Sequence, residues 1–246
     1  METTAQRTRR AMVDSGNYQV MSPSSYPRED RHWGADLDFL KEAANALLAK
    51  SKSKIDYFDI GCGPGFHVVM MGRWYPEISL VGVDISEHML RAARAEVSRA
   101  GLKNIDFIHS DILNLPTERK CNLVSFLNNG LGNMHQEGTS SYVLRVNAIQ
   151  KIRALMRKYG HAVMSVYNLE KLTPCYGPNH RILPGGDIKS GDLFIEYQPR
   201  GSHRIETYYS HWFTENELVE LLEQNGFKID LFEKRMARLV VRARAV

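Results

Sequence analysis

Apolar positions along this chain alternate between helical and strand patterns. Leu37, Leu40, Ala44, Leu47 and Leu48 recur at helical spacing, which predicts an amphipathic helix over 35–49. A polar linker at 50–54 leads into the apolar run 55–60, read as a buried strand. A helix over about 65–74 and a strand over 79–83 follow. Ser86 is placed to cap a helix that carries Met89, Leu90, Ala93 and Val97 on one side. Strands at 105–109 and 122–127, a helix over about 139–157 and a strand at 162–167 continue the run. Strands separated by helices imply an α/β fold, doubly wound, with a mostly parallel sheet and helices on both faces.

The two ends depart from this alternation. Residues 1–30 are polar and include GNYQVMSPSSYP, so 1–34 reads as an arm or lid that orders when something binds. Residues 168–190 carry Pro174, Gly177, Pro178, Pro184, Gly185 and Gly186 and read as a loop. The runs 192–198 and 204–213 suit a pair of antiparallel strands, which makes about 169–213 an insertion over the active face. Thr214-Glu215-Asn216-Glu217 is a capping box opening a helix with Leu218, Leu221 and Leu222 on one face, closed by Gly226. Two more strands, about 227–233 and 238–245, end a single domain over 35–246.

The chemistry enters where the first strand runs into Gly61, Gly63 and Gly65, within YFDIGCGPGF. A glycine-rich turn from strand to helix brings backbone next to a nucleotide. The spacing is not that of a dinucleotide site, because Phe66 stands where the third glycine of G-x-G-x-x-G would fall. The Lys-Ser/Thr pair of a P-loop is missing as well. Asp84 ends the next strand, 19 residues beyond Gly65, where an acid accepts from ribose hydroxyls. Asp111 follows the third strand at the same sheet edge and suits an exocyclic adenine amine.

Taken together, DIGCGPG at 59–65, VDIS at 83–86 and SDI at 110–112 resemble the class I S-adenosylmethionine-dependent methyltransferases. The resemblance covers about 35–168 and the C-terminal strand-helix-strand-strand, and it implies a seven-stranded sheet with a reversed last strand. It implies S-adenosyl-L-methionine as cofactor and S-adenosyl-L-homocysteine as product. Gly61, Gly63 and Gly65 would lie against the methionine part, with Asp59 holding the loop and the amino group. Asp84 would take the ribose, Ile85 and Met89 the adenine ring, and Asp111 with Ile112 the adenine amine and ring. Asn128 would sit at the methionine end. From the arm, Tyr26, Arg31 and Trp33 would close over the cofactor, Arg31 pairing with its carboxylate.

The stretch SFLNNGLGNMH at 125–135 lacks the Asn/Asp-Pro-Pro-Tyr/Phe motif of family members that methylate nucleobase amines or glutamine. A sulfonium methyl mainly needs an aligned acceptor, with removal of at most one proton. His135 is the candidate general base, and Tyr167, ending the fifth strand, is the second catalytic candidate. Tyr18, Asn129, Tyr176, Tyr209 and His211 are candidate substrate contacts. Alternation puts Tyr209, His211 and Phe213 on one strand face, and one face must pack inward.

Composition narrows the partners. A hydrophobic share of 43% and a charged share of 24% describe an ordinary soluble protein. The net charge of +4 suits an anionic ligand or RNA. Its arginines, however, gather at Arg7, Arg9 and Arg10 and at Arg235, Arg238, Arg242 and Arg244, as in an arm and a final strand. Cys62, Cys121 and Cys175 form neither a metal spacing nor an even disulfide set. No apolar run approaches the ~20 residues of a membrane span, and the polar N-terminus has no h-region. A cytoplasmic protein with reduced thiols and no metal is expected. The reading is methyl transfer to an amine or hydroxyl of a small-molecule acceptor. An RNA or protein methyltransferase, a non-catalytic S-adenosylmethionine-binding regulator, and a homodimer remain open.

Overall fold

Odd and even positions of the central strands serve two different cores, and this double use explains their near-continuous apolar runs. The computed structural model describes residues 34–50, 54–172, 180–198 and 205–246. Tyr18, Tyr26, Arg31 and Trp33 of the arm, with Cys175 and Tyr176, lie outside the described residues. From Gly34 the chain alternates through α1 (Gly34–Leu48), β1 (Asp56–Ile60), α2 (Phe66–Trp74), β2 (Ser79–Asp84), α3 (Glu87–Arg99) and β3 (Ile105–His109). It continues through β4 (Cys121–Phe126), α4 (Ser141–Leu155) and β5 (Met156–Tyr167). Three short strands follow, β6 (His180–Ile182), β7 (Asp192–Tyr197) and β8 (Glu206–His211). The chain closes with α5 (Glu215–Glu223), β9 (Phe227–Arg235) and β10 (Arg238–Ala245).

Seven strands form one sheet in the order β3-β2-β1-β4-β5-β10-β9. The first five run parallel, and β10 runs antiparallel to both of its neighbours. The last strand is therefore the reversed one. Phe58, Ile60, Val124 and Phe126 pack with Ile149 and Ile152 of α4 and Leu218 and Leu222 of α5. Tyr57, Leu123, Val163 and Val240 pack with Leu40 and Ala43 of α1 and Val68 and Met71 of α2. β6, β7 and β8 make a separate antiparallel sheet, whose Leu193 and Ile195 share a small core with Leu172 and Trp212.

Two details differ from the sequence expectation. β5 begins at Met156, directly after α4, because the chain re-enters the sheet through a kink where Tyr159 takes φ 64°. The third strand of the small sheet, β6, lies inside the run read as a loop; three residues flanked by Pro and Gly give no readable period. Of the C-terminal arginines, Arg238, Arg242 and Arg244 stand on β10 and Arg235 ends β9, and each faces an acid. Arg235 meets Glu233 at 2.7 Å, Arg238 meets Asp36 at 2.5 Å, Arg242 meets Glu42 at 2.8 Å and Arg244 meets Asp230 at 2.7 Å.

The chain builds outward from β1 to β3 and then crosses to β4 on the other side of β1. That reversal opens a crevice at the carboxyl ends of β1 and β4, where open α/β sheets bind ligands. Gly65 at the start of α2 turns the chain into it with φ +86°, and an added Cβ would sit 2.9 Å from Ala93 Cβ. Gly65→Ala should destabilise the fold by about 2 kcal/mol, from left-handed backbone cost plus overpacking. Adding Ala93→Gly should recover part of it. An unchanged urea midpoint in Gly65→Ala would contradict this packing.

Candidate active site

Each of the first four strands ends in the crevice with a polar group. At the floor is Asp59 of β1, buried at 2% exposure. One of its oxygens accepts from the Ser125 hydroxyl at 2.5 Å, and Ser125 Oγ lies 2.6 Å from the Tyr57 hydroxyl. The other oxygen is buried and has no hydrogen-bond partner among the described residues. Burial pushes the Asp59 carboxyl up, the Ser125 bond holds it down in part, and the charges of Asp84 and Asp36 add to the rise, to about 7.

Asp84 at the end of β2 holds two backbone turns together. One carboxylate oxygen accepts from Gly63 N–H at 2.8 Å and the other from Ser86 N–H at 2.8 Å. Burial raises its carboxyl above the ordinary value despite those bonds. Ser86 in turn caps α3, accepting from Met89 N–H at 3.3 Å. Gly63 takes φ +53°, and among the described residues nothing lies within 4 Å of where a Cβ would stand, so the loop leaves space on its ligand side. After β3, Asp111 accepts from Leu113 N–H at 2.9 Å and caps a single turn at Ile112–Asn114.

After β4 the backbone turns through two asparagines in left-handed conformation, Asn128 at φ 52° and Asn129 at φ 62°. Their N–H groups donate to Ser165 Oγ and Ser165 O, both at 2.9 Å. The following loop carries His135, whose Nδ1 lies 3.0 Å from Ser141 Oγ. Its ring stacks on Tyr209 at 4.6 Å and meets the edge of Phe194 at 5.4 Å. Burial lowers its pKa from the ordinary histidine value, and Asp192 and Glu137 oppose that in part.

These groups surround a cavity of about 270 Å³. Of the residues expected from the sequence, Asp59, Gly61, Gly63, Asp84, Ile85, Met89, Asp111, Ile112, Asn128 and His135 line it. Gly65 sits just behind, at the start of α2. Four expected residues are set back from it, which corrects their placement. Asn129 is fully buried: its amide donates to Asn133, Ser210 Oγ and the His211 carbonyl, and its oxygen accepts from Tyr167 N–H. Tyr167 packs on Trp212 with ring centroids 4.9 Å apart. Tyr209 and His211 are buried at 2% exposure beneath the small sheet, where the inward face of β8 must pack.

Other polar groups at this edge carried no sequence signal. Ser125 stands in an apolar strand and meets Asp59 only through the β1–β4 register. Asp36 is fully buried beside Arg238, with His67 Nε2 at 4.0 Å. His67 also lines the cavity, and burial together with Arg238 lowers its pKa to about 3, keeping it neutral.

A family model described as "Methyltransferase domain" matches residues 51–226. The chain belongs to the class I S-adenosylmethionine-dependent methyltransferases. Among curated proteins, malonyl-[acyl-carrier protein] O-methyltransferase of Acetivibrio thermocellus is 31% identical over 104 residues, covering 40% of this chain and 35% of that protein. Demethylmenaquinone methyltransferase of Listeria monocytogenes serotype 4a is 33% identical over 100 residues, covering 40% of this chain and 42% of that protein. Each alignment thus spans well under half of the relative's length. A solved S-adenosylmethionine-dependent methyltransferase from Clostridium acetobutylicum shares the fold, with TM-score 0.70 at 17% identity, covering 93% of this chain and 98% of that one.

The crevice of this methyltransferase fits the family's cofactor on its own chemistry. The buried, unpartnered oxygen of Asp59 suits an ammonium group, and the open side of Gly63 admits a ligand against the backbone. Without that ligand, a buried carboxylate costs stability as pH rises from the unfolded value of 3.8 to about 7. Asp59→Asn should therefore raise the melting temperature of the ligand-free protein at pH 8, with no gain at pH 4, while weakening S-adenosylhomocysteine binding. A variant that binds normally, or that is destabilised at pH 8, would contradict this assignment.

Proposed function

We propose that this methyltransferase moves the methyl group of S-adenosylmethionine to a hydroxyl or amine of a small-molecule acceptor. The observation that carries the reading is the cavity wall beyond the cofactor groups. Among the described residues Asn133, Met134, His135, Gln136 and Leu144 line it, a mix of apolar and neutral polar side chains without Asp, Glu, Lys or Arg. Such a wall suits a small, mostly uncharged acceptor with a few oriented polar groups. The pairing of the C-terminal arginines with acids weighs against a free basic groove for RNA. The names of the two curated relatives, one for a malonyl group on acyl-carrier protein and one for demethylmenaquinone, favour a metabolite acceptor over RNA.

When bound, the cofactor supplies a methyl group already activated by its sulfonium. In this reading Asp59 takes the ammonium, Gly61, Gly63 and Gly65 flank the methionine part, and Asp84 takes the ribose through its remaining lone pairs. Ile85, Met89, Asp111 and Ile112 hold the adenine, and Asn128 lies at the methionine end. Arg31, Tyr26 and Trp33 of the arm complete the cofactor site, and Tyr18 and Tyr176 reach the acceptor. The arm's share in this is supported by α1, which follows it directly and whose first turn buries Asp36 near His67 on the cavity wall. His135 accepts a proton from the acceptor. The protein works in the cytoplasm; among the described residues no helix is long and apolar enough to cross a membrane.

Asp84→Ala removes two charge-assisted bonds and the ribose partner together, so S-adenosylhomocysteine affinity should fall about 100-fold or more. Wild-type affinity by calorimetry would remove the ribose assignment. His135→Ala should lower kcat by about 10²–10⁴ while cofactor affinity stays within a few-fold. Because burial depresses the His135 pKa, the wild-type rate should hold through neutral pH and fall only below the ordinary histidine value of 6.5. A rate that drops already above pH 7 would remove His135 as the base.

A further inference from the structure

The acceptor side of the crevice is seated on a histidine that methyl transfer itself does not use. His211 ends β8 and is buried, set back from the cavity. Its backbone holds the turn that follows β4. The His211 N–H donates to the Gly132 carbonyl at 2.8 Å, and the His211 carbonyl accepts from the Asn129 amide at 3.2 Å. The two segments touch closely, since a Cβ on Gly132 would stand 2.5 Å from the His211 carbonyl oxygen. The same Asn129 amide donates to Asn133 Oδ1 at 3.2 Å, and Asn133 lines the cavity. A displacement of His211 thus reaches the cavity wall through two hydrogen bonds.

The ring of the same residue bridges two acids from different parts of the fold. Nδ1 lies 2.9 Å from Asp192 of β7, and Nε2 lies 2.8 Å from Glu217 of α5. β7 belongs to the small sheet, whereas α5 packs into the main core through Leu218 and Leu222. Only an imidazolium has an N–H for each carboxylate; a neutral ring leaves one acid against a lone pair. Burial opposes the charge on His211, but the hydrogen bonds to Asp192 and Glu217 raise its pKa. Burial also works against an ionised Asp192, and its bonds from His211 and Tyr209 hold it at about 2. Arg145 of α4 lies 3.7 Å from Asp192 and donates to the Tyr209 hydroxyl at 3.0 Å. Tyr209, on the same strand as His211, donates to Asp192, and its ring stacks on that of His135 at 4.6 Å. The charges of this cluster balance, two acids against two cations, only while His211 is protonated.

We propose that His211, as an imidazolium, is the tie that positions the acceptor wall: its ring joins β7 to α5 while its backbone holds the 129–133 turn, and loss of its proton loosens that turn. This rests on the reading of the wall around Asn133 as the acceptor side. His211 is a positioning residue, acting through Asn129 and Gly132. Its contribution is fully present below the ordinary histidine value of 6.5 and is lost as pH rises through the higher value of the folded protein. Asp192 contributes fully above 3.8 and loses its part only as pH falls through about 2. The tie is therefore complete between 3.8 and 6.5 and opens on the alkaline side.

The test is a pH titration of the full chain by proton–nitrogen NMR, with the His211 ring assigned through its contact with the Phe213 ring, 4.4 Å away. At pH 6.5, where an ordinary histidine is half neutral, both ring nitrogens of His211 should still be mostly protonated. As the ring titrates at higher pH, the amides of Asn129, Gly132 and Asn133 should shift with the same midpoint. Glu217→Gln should move all of these midpoints to lower pH together, while those of Gly63 and Ser86 stay in place. A His211 at least half neutral at pH 6.5 overturns the tie, and so do turn amides that ignore its titration. An unmoved midpoint in a folded Glu217→Gln overturns it as well; if that variant does not fold, the wild-type titration decides. None of these measurements needs an acceptor, which keeps the two readings apart. Label passing from S-adenosylmethionine to RNA or protein in a cell extract would count against the small-molecule reading, and with the expected titration would leave the tie standing.

Discussion

The Asp84 carboxylate accepts from Gly63 N–H with one oxygen and from Ser86 N–H with the other, and the site depends on that fork. Gly63 belongs to the turn after β1, and Ser86 opens the helix after β2. The two strands lie side by side in the sheet, so one acid at a strand end couples two loops that must face the same ligand. The bonds are charge-assisted and partly buried, which makes them strong and makes an unpaired alternative costly. Substituting another side chain at Asp84 would loosen the loop and the helix cap together.

Asp59 illustrates the opposite economy. Its second oxygen is buried and unsatisfied among the described residues, and its carboxyl is pushed up to about 7. A group held that way destabilises the empty protein and favours a cationic partner. Together the two acids describe a site with one rigid part and one unsatisfied part. The rigid part sets the shape of the loop, and the unsatisfied part gives a ligand something to neutralise.

Much of this was legible in the sequence because the decisive residues lie at strand ends, where short motifs encode position. The alternate glycines, Asp84 and Asp111 needed no knowledge of distant contacts. The acceptor side was less legible, since its residues are placed by contacts far apart in the chain. Asn129 looked available, yet its amide is used up by Ser210 and His211, more than 80 positions away. Alternation showed that Tyr209 and His211 share a face, but not that the face turns inward. Ser125 was hidden in an apolar strand, and Asp36 meets Arg238 across a separation of 202 residues. The capping box at Thr214 was right about the helix but incomplete: Glu217 N–H donates to Thr214 Oγ1, while the Glu217 carboxylate reaches His211.

The most direct measurement is an amide-resolved NMR titration of the full chain with S-adenosylhomocysteine. Saturable one-to-one shifts concentrated at residues 59–65, 84–86 and 111–113 are the predicted result. Saturable binding that leaves those amides in place and moves others, or no binding at all, would contradict the account.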